Sequence, residues 1–455
     1  MKKIAVIGGG GVRSLFLAKS LAQRSEELGI SALAFMDNDE SKLNIYGRMA
    51  KVTALKINPK LDFVLTTDAK EAVSGADYVI TTIREGNDEM RVRDERIALN
   101  LGVLGQETTG AAGFSFAIRS VNALSEYCEL IKLYAKPECK VFNFTNPAGV
   151  VSQTLRDMGY DFTYGICDAP SGMVHSFEKL YGVPEGSMRA EVYGLNHLSY
   201  FESIILDGKN IVPDLIENDN AYKQTDMRYF EKQLLRERGC ILNEYLYYFY
   251  YREKALSNIL AAKETRGEQI LEINRKMTDE LKDIDIEADF DKALSIFERR
   301  YGERENNYMA SETGVKRESS WKFDINQKDS GGYAGVALKF IEIQQSGSTD
   351  SMVLCTANDG AISGLRDDDI VEITCDVSKD GVTPHRFDSV DEQHLELIRR
   401  VKIYERLASK AIREKSVQTA VEALTLHPLV NSYSLAKQLV SQYLELNHKY
   451  TKGWK

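Results

Sequence analysis

Apolar positions in the first third of the chain fall into short runs separated by stretches of helical spacing. Residues 3–8 are largely apolar and end in Gly8-Gly9-Gly10-Gly11, after which apolar side chains recur over 15–28 at helical intervals. This predicts strand, glycine turn and helix. Ala32-Leu33-Ala34-Phe35-Met36 stops at Asp37, and Phe63-Val64-Leu65-Thr66 and Tyr78-Val79-Ile80-Thr81-Thr82 are further strand-like runs with helical stretches between them. Strands that alternate with helices imply a parallel, doubly wound sheet, so residues 1–170 are predicted to form a Rossmann-type domain. Lys140-Val141-Phe142-Asn143-Phe144-Thr145 and Tyr164-Gly165-Ile166 are its late strands, each running into polar residues where such sheets hold their ligands.

Beyond that point the pattern is mixed. Residues 189–206 look extended, 245–275 helical and 370–377 extended again, which predicts an α+β domain over 171–455. Residues 298–320 are polar and charged with little periodicity, and Gly331-Gly332 follows, so this stretch is expected to be a mobile loop or lid. Apolar spacing over 392–449 predicts a pair of long helices broken at His427-Pro428.

At 455 residues the chain is long enough for two packed domains. No segment approaches the ~20 consecutive apolar residues that span a bilayer, and the first residues lack a secretory signal's long apolar stretch; no membrane association and a cytoplasmic location are expected. A net charge of −10 without a basic stripe argues against nucleic acid as a partner, while a small anionic substrate needs only a few local arginines. The six cysteines are scattered, as suits free thiols in a reducing compartment.

The glycine turn would let a pyrophosphate approach backbone amides at a helix N-terminus, with Gly8, Gly9 and Gly10 as the cofactor-binding residues. The third glycine of the common fingerprint is missing and Arg13 stands there, which leaves a plain structural turn as the competing reading. Asp37 strengthens the nucleotide reading: an acid at the end of the second strand accepts from ribose hydroxyls and repels a 2′-phosphate, favouring NAD over NADP. Cys167 and His197 each stand at or just past a strand-like run and could face one crevice as ligands of a borderline divalent ion. A buried structural cysteine and a core histidine are the alternative.

These features together resemble glycoside hydrolase family 4, the NAD- and metal-dependent glycosidases. The resemblance rests on Gly8-Gly9-Gly10, Asp94-Glu95-Arg96-Ile97, Gly105-Gln106-Glu107-Thr108, Asn143-Phe144-Thr145-Asn146-Pro147-Ala148-Gly149, Cys167-x-x-Pro170 and Gly194-Leu195-Asn196-His197-Leu198, in that order over nearly the whole chain. It implies an opening fold like that of lactate and malate dehydrogenases, NAD and Mn²⁺ as cofactors, and a homodimer or homotetramer. It makes Cys167 and His197 the metal ligands, Arg84 and Asn146 substrate contacts, and Arg266 a contact to the sugar phosphate. Tyr245, in Glu244-Tyr245-Leu246-Tyr247-Tyr248, becomes the catalytic base, with Tyr247 and Tyr248 as competitors, and Asp168 the general acid.

The reaction so implied is cleavage of a 6-phosphorylated disaccharide or glucoside by oxidation at C3, proton removal at C2 and elimination at C1, outside the usual two-carboxylate scheme. Asp168 resembles the 6-phospho-α-glucosidase branch, whereas His427-Pro428-Leu429-Val430 and Gly331-Gly332-Tyr333 look more like 6-phospho-β-glucosidases, which are favoured. Val12-Arg13-Ser14-Leu15-Phe16 departs from the Ser/Thr-containing segment of many relatives. An NAD-dependent 2-hydroxyacid dehydrogenase and a non-catalytic NAD sensor are the alternatives from other classes.

Overall fold

The computed structural model describes residues 1–317, 322–328 and 334–455. Six parallel strands open it: β1 (Lys2–Ile7), β2 (Ile30–Met36), β3 (Asp62–Thr66), β4 (Tyr78–Thr81), β5 (Lys140–Asn143) and β6 (Thr163–Gly165). Their spatial order, β3-β2-β1-β4-β5-β6, is that of a Rossmann fold, with the reversal of winding between β1 and β4. The near-continuous apolar strand sequences follow from burial on both faces. On β1, Ile4 and Val6 join the main core while Ala5 and Ile7 face a second core; on β2, Leu33 and Phe35 oppose Ala34 and Met36 in the same way.

The sheet does not stop at β6. β11 (Asp350–Ala357) pairs antiparallel with β6 through Cys355 and Gly165, and β12 (Ile370–Ser378) and β13 (Gly381–Pro384) follow, giving nine strands among the described residues. A second, antiparallel sheet is built on the hairpin of β7 (Arg189–Leu195) and β8 (Leu198–Leu206), with β9 (Lys209–Asn210) and β10 (Ile241–Leu242) on β8. The extended pattern over 189–206 is this hairpin, and that over 370–377 is β12.

Three expectations are corrected. Most of the stretch expected to be a lid is helical: Phe290–Asn306 is one helix and Ala310–Thr313 another, with 318–320 outside the described residues. Phe290, Ala293, Phe297 and Tyr301 recur at helical spacing and are buried, so the helix is amphipathic, and a window opened at 298 catches only its charged half. They pack with Leu15, Met49, Met277 and Leu281 into a third core, where each fully buried large side chain stabilises by about 1.5–3 kcal/mol. The C-terminal segment holds three helices, Glu392–Glu414, Val417–Leu426 and Tyr433–Leu446. An additional break comes at Lys415, which takes φ 54°, before Ser416 caps the next helix. The helical stretch after 245 is also interrupted, at Tyr251 and again before the helix Arg266–Leu281.

Candidate active site

A cleft of about 920 Å³ opens at the C-terminal ends of β1, β4, β5 and β6. This is where open α/β sheets place ligands. Gly10, Gly11, Val12 and Arg13 border it at the head of the helix Ser14–Gln23, Thr82 to Arg84 follow β4, Asn146 follows β5, and Cys167 and Asp168 follow β6. The opposite wall carries Asn196 and His197 from the β7–β8 turn, Glu244 and Tyr245 from a 3-10 turn, and Arg266, Arg304 and Tyr308 from the helical layer beyond. Of the residues expected to form the site, Gly10, Arg84, Asn146, Cys167, Asp168, His197, Tyr245 and Arg266 border this one cleft, whereas Gly8, Gly9 and Asp37 do not line it.

Those three hold the turn's shape. Gly8 has φ 101°, and a Cβ there would lie 2.7 Å from the Thr82 carbonyl oxygen; one on Gly9 would lie 2.7 Å from the Phe35 Cβ. Asp37 accepts from the Gly10 N–H at 3.0 Å and, through its other oxygen, from the Asp39 N–H at 3.0 Å. On Gly11 a Cβ would meet only the Gly8 carbonyl, at 3.3 Å, so the turn is open towards the cleft. A strand, a tight turn, a helix N-terminus and an acid at the end of β2 are the parts a dinucleotide needs.

Cys167 and Asp168 lead into the helix Ala169–Tyr181, which has Pro170 in its first turn. Burial, with Glu372 and Asp168 adding to it, pushes the Cys167 thiol up; burial also raises the Asp168 carboxyl, against the pull of Arg13. His197 takes φ 61°, a conformation uncommon for a residue other than glycine. The Thr108 hydroxyl lies 2.9 Å from its Nδ1, which leaves Nε2 as the imidazole's second coordination position, and burial lowers its pKa to about 4. A neutral imidazole and a sulfur are donors competent for a borderline divalent ion. Among the described residues no group of three or more His, Cys, Asp or Glu side chains could hold a metal, so these two would need oxygens of substrate or water to complete a coordination shell.

The Tyr245 ring stacks on the His197 ring, centroids 3.9 Å apart and planes 5° from parallel. Its hydroxyl accepts from the Tyr308 hydroxyl at 3.1 Å, and burial together with Glu244 raises the phenol well above its usual value. The two neighbouring tyrosines are engaged elsewhere: Tyr247 donates to the Glu312 carbonyl at 3.4 Å and Tyr248 to its carboxylate at 3.0 Å.

Charge is concentrated on the same cleft. Arg84 pairs with Glu107 and, at 3.6 Å, with Asp88; Arg91 pairs with Glu95 at 2.8 Å and with Glu107 at 3.1 Å. Burial alone would raise Glu107, but Arg84 and Arg91 outweigh it and hold the carboxyl at about 2. Arg266 is the first residue of its helix, after a Thr265–Glu268 capping box, and the Gly267 N–H donates to Glu95 at 3.0 Å. Its Nη2 donates to the Arg304 carbonyl at 2.9 Å, while Nη1 is buried with no partner. Burial, Arg13 and Arg266 outweigh Tyr301 and Glu305 and bring Arg304 down to about 10. Arg304, Tyr308, Thr108 and Glu107 were given no site role by the sequence reading. Only the last two stood in a quoted motif, and Arg304 fell in the stretch expected to be a lid.

The sequence profile described as family 4 glycosyl hydrolase matches residues 3–183, and that of the family 4 glycosyl hydrolase C-terminal domain matches 192–430. The chain belongs to glycosyl hydrolase family 4. This family 4 hydrolase is 30% identical, over 98% of its length and 97% of the other's, to a Bacillus subtilis protein named "probable 6-phospho-beta-glucosidase". It is 28% identical to a phospho-alpha-glucosidase of Clostridium acetobutylicum, over 99% of both chains. Among solved structures, the 6-phospho-beta glucosidase of Thermotoga maritima with NAD and glucose-6-phosphate superposes with a TM-score of 0.82 at 27% identity, covering 99% of each chain; a form of the same protein with manganese, NAD+ and glucose-6-phosphate gives 0.81. The dehydrogenase and sensor readings give way to a glycoside hydrolase. No described helix is long and apolar enough to cross a membrane.

Proposed function

We propose that this chain hydrolyses 6-phospho-glucosides, the β anomer preferred, with NAD and a divalent ion such as Mn²⁺ bound in the cleft. The observation that carries the reading is that the nucleotide turn, Cys167, His197 and Tyr245 border one cavity. The names of the Bacillus subtilis and Thermotoga maritima relatives, and the NAD, manganese and glucose-6-phosphate bound to the latter, support it. The donor set fits both groups: an open glycine turn backed by Asp37 for the dinucleotide, and one sulfur and one imidazole nitrogen for the ion.

When bound, NAD+ offers a hydride acceptor for the sugar C3 and the divalent ion an electrophile that acidifies the proton at C2. Cys167 and His197 hold the ion, with His197 kept in orientation by Thr108. Tyr245 takes the C2 proton as the phenolate, the ionised form that the hydrogen bond donated by the Tyr308 hydroxyl favours against burial and Glu244. Asp168 protonates the departing C1 oxygen as the bond breaks by elimination, and water adds to C1 before the oxidation is reversed. Arg266, with Arg304 beside it, receives the 6-phosphate, for which the unpartnered Nη1 is a ready donor. Arg84 and Asn146 meet the sugar hydroxyls.

The test is a paired assay of chromogenic 6-phospho-β- and 6-phospho-α-glucosides with NAD+, Mn²⁺ and thiol present. Turnover of the β compound, together with solvent deuterium entering C2, is expected. Turnover that persists after both NAD and metal are stripped, or net NADH formation from a 2-hydroxy acid, would contradict the proposal. Asp168 and the phospho-alpha-glucosidase of Clostridium acetobutylicum favour the α reading. Preferential α turnover would reassign the anomer alone.

A further inference from the structure

Glu372 is a buried carboxylate that the reaction above does not use. It lies on β12, 1% exposed and outside the cleft lining. One oxygen accepts from Asn196 Nδ2 at 2.9 Å and the other from the Ser199 hydroxyl at 2.9 Å. Asn196 precedes His197 in the β7–β8 turn, where His197 takes φ 61°, and Ser199 lies two residues beyond it on β8. Ser199 in turn is joined to Asn243, whose backbone N–H donates to the Ser199 carbonyl at 3.0 Å and whose side-chain amide donates to its hydroxyl at 3.3 Å. The Asn243 side-chain oxygen then accepts the Tyr245 N–H at 3.0 Å and caps the 3-10 turn that carries that tyrosine. A single carboxylate therefore anchors the hairpin that carries His197 and, through Ser199 and Asn243, is linked to the turn that carries Tyr245.

Burying a carboxylate is costly unless its oxygens are well satisfied, and apolar side chains would seal this sheet at lower cost. What the carboxylate offers is an acceptor to each of Asn196 and Ser199, with the Cys355 thiol a third donor at 3.9 Å to the oxygen that holds Asn196. Two residues along β12, Thr374 fastens the other end of β7, accepting from the Val192 N–H at 2.9 Å and donating to the Ala190 carbonyl at 3.0 Å. The two attachments share a strand, but only the one at Glu372 reaches His197 and Tyr245.

We propose that Glu372 is a positioning residue that fixes His197 and Tyr245 relative to each other, so that metal ligation and proton removal depend on a side chain that touches neither substrate nor cofactor. This rests on the roles given to His197 and Tyr245 above. The experiment titrates Mn²⁺ and NAD+ separately by calorimetry into wild type, Glu372→Leu, Glu372→Gln and Thr374→Val, and measures kcat and KM at saturating metal. Glu372→Leu is expected to weaken Mn²⁺ about 10–100-fold, in the range found when outer-shell partners of metal ligands are removed, and to lower kcat at saturating Mn²⁺. Its NAD+ affinity and sugar KM should stay near wild type. Glu372→Gln, which keeps an acceptor for Asn196 and a donor for Ser199, should rescue both properties, and Thr374→Val should lower Tm without weakening Mn²⁺. Should Glu372→Leu fail to fold, Asn196→Ala removes a single donor and is expected to weaken Mn²⁺ in the same direction. Unchanged Mn²⁺ affinity in both Glu372→Leu and Asn196→Ala, or a parallel loss of NAD+ and Mn²⁺ that Thr374→Val reproduces, overturns the proposal. Wild-type protein that binds no Mn²⁺ overturns the functional reading beneath it.

Discussion

On the wall of the cleft formed by the ends of β1 and β4, backbone sets the geometry. Gly8 and Gly9 leave no room for a Cβ, Gly10 is tied to Asp37, and all these residues lie within the first 37 of the chain. On the facing wall, side chains set it: Thr108 holds His197 from 89 residues away, Tyr308 holds Tyr245 from 63, and Glu372 holds Asn196 from 176. The first wall is local and fails by steric exclusion. The second is assembled from distant segments and fails when one donor or acceptor is lost.

Substitutions can separate the two. The largest effect is expected from Cys167→Ser, which should cut kcat/KM by roughly 10³-fold or more, about 4 kcal/mol of transition-state stabilisation, and abolish tight Mn²⁺ binding while NAD+ titrates as in wild type. Tyr245→Phe should lower kcat by roughly 10²–10⁴-fold with both ligands still bound. Its neighbour Tyr248→Phe should instead lower stability by about 1–3 kcal/mol, because Glu312 loses a buried partner, and leave most of kcat. Arg266→Ala should raise KM for a 6-phospho-glucoside by roughly 10–100-fold, as expected for the loss of a charge-assisted hydrogen bond. On the backbone wall, Gly8→Ala should weaken NAD+ and lower Tm with Mn²⁺ affinity retained; equal damage to both ligands would erase the distinction between the walls.

The smallest expected effect concerns pH. His385 lies 2.8 Å from Glu191 and 3.0 Å from Asp376, which bridges the two sheets of the second wall's support. Burial alone would lower its pKa, but the two carboxylates outweigh it and raise the folded value above the ordinary one. The stability it contributes is therefore fully present below about pH 6.5 and is lost as pH rises through the raised folded value. The Tm difference between wild type and His385→Gln should shrink between pH 6 and 8; a difference that grows over that range would reverse the sign.

The contrast between the walls also explains what could be read in the sequence. A continuous apolar run ending in glycines is a local signal, so the parallel sheet and the glycine turn after its first strand were legible. Cys167 and His197 stood out by their places at the ends of strand-like runs, with a buried cysteine and a core histidine left open as the alternative, and Tyr245 was singled out through resemblance. Glu372 was not legible: it sits in a strand-like run of Val, Ile and Thr, and its partners are 173 and 176 residues distant. The helix Phe290–Asn306 was missed because Phe290, Ala293 and Phe297 precede the polar stretch where reading began.

The antiparallel union of β6 with β11 bears on how the molecule can be divided and how it can move. A fragment ending soon after β6 would expose an unpaired strand edge, and such edges invite association with other chains. The amino-terminal portion expressed by itself should therefore aggregate instead of serving as a free nucleotide-binding module. With one sheet running through both portions, pulling the two apart would break the pairing of Gly165 with Cys355.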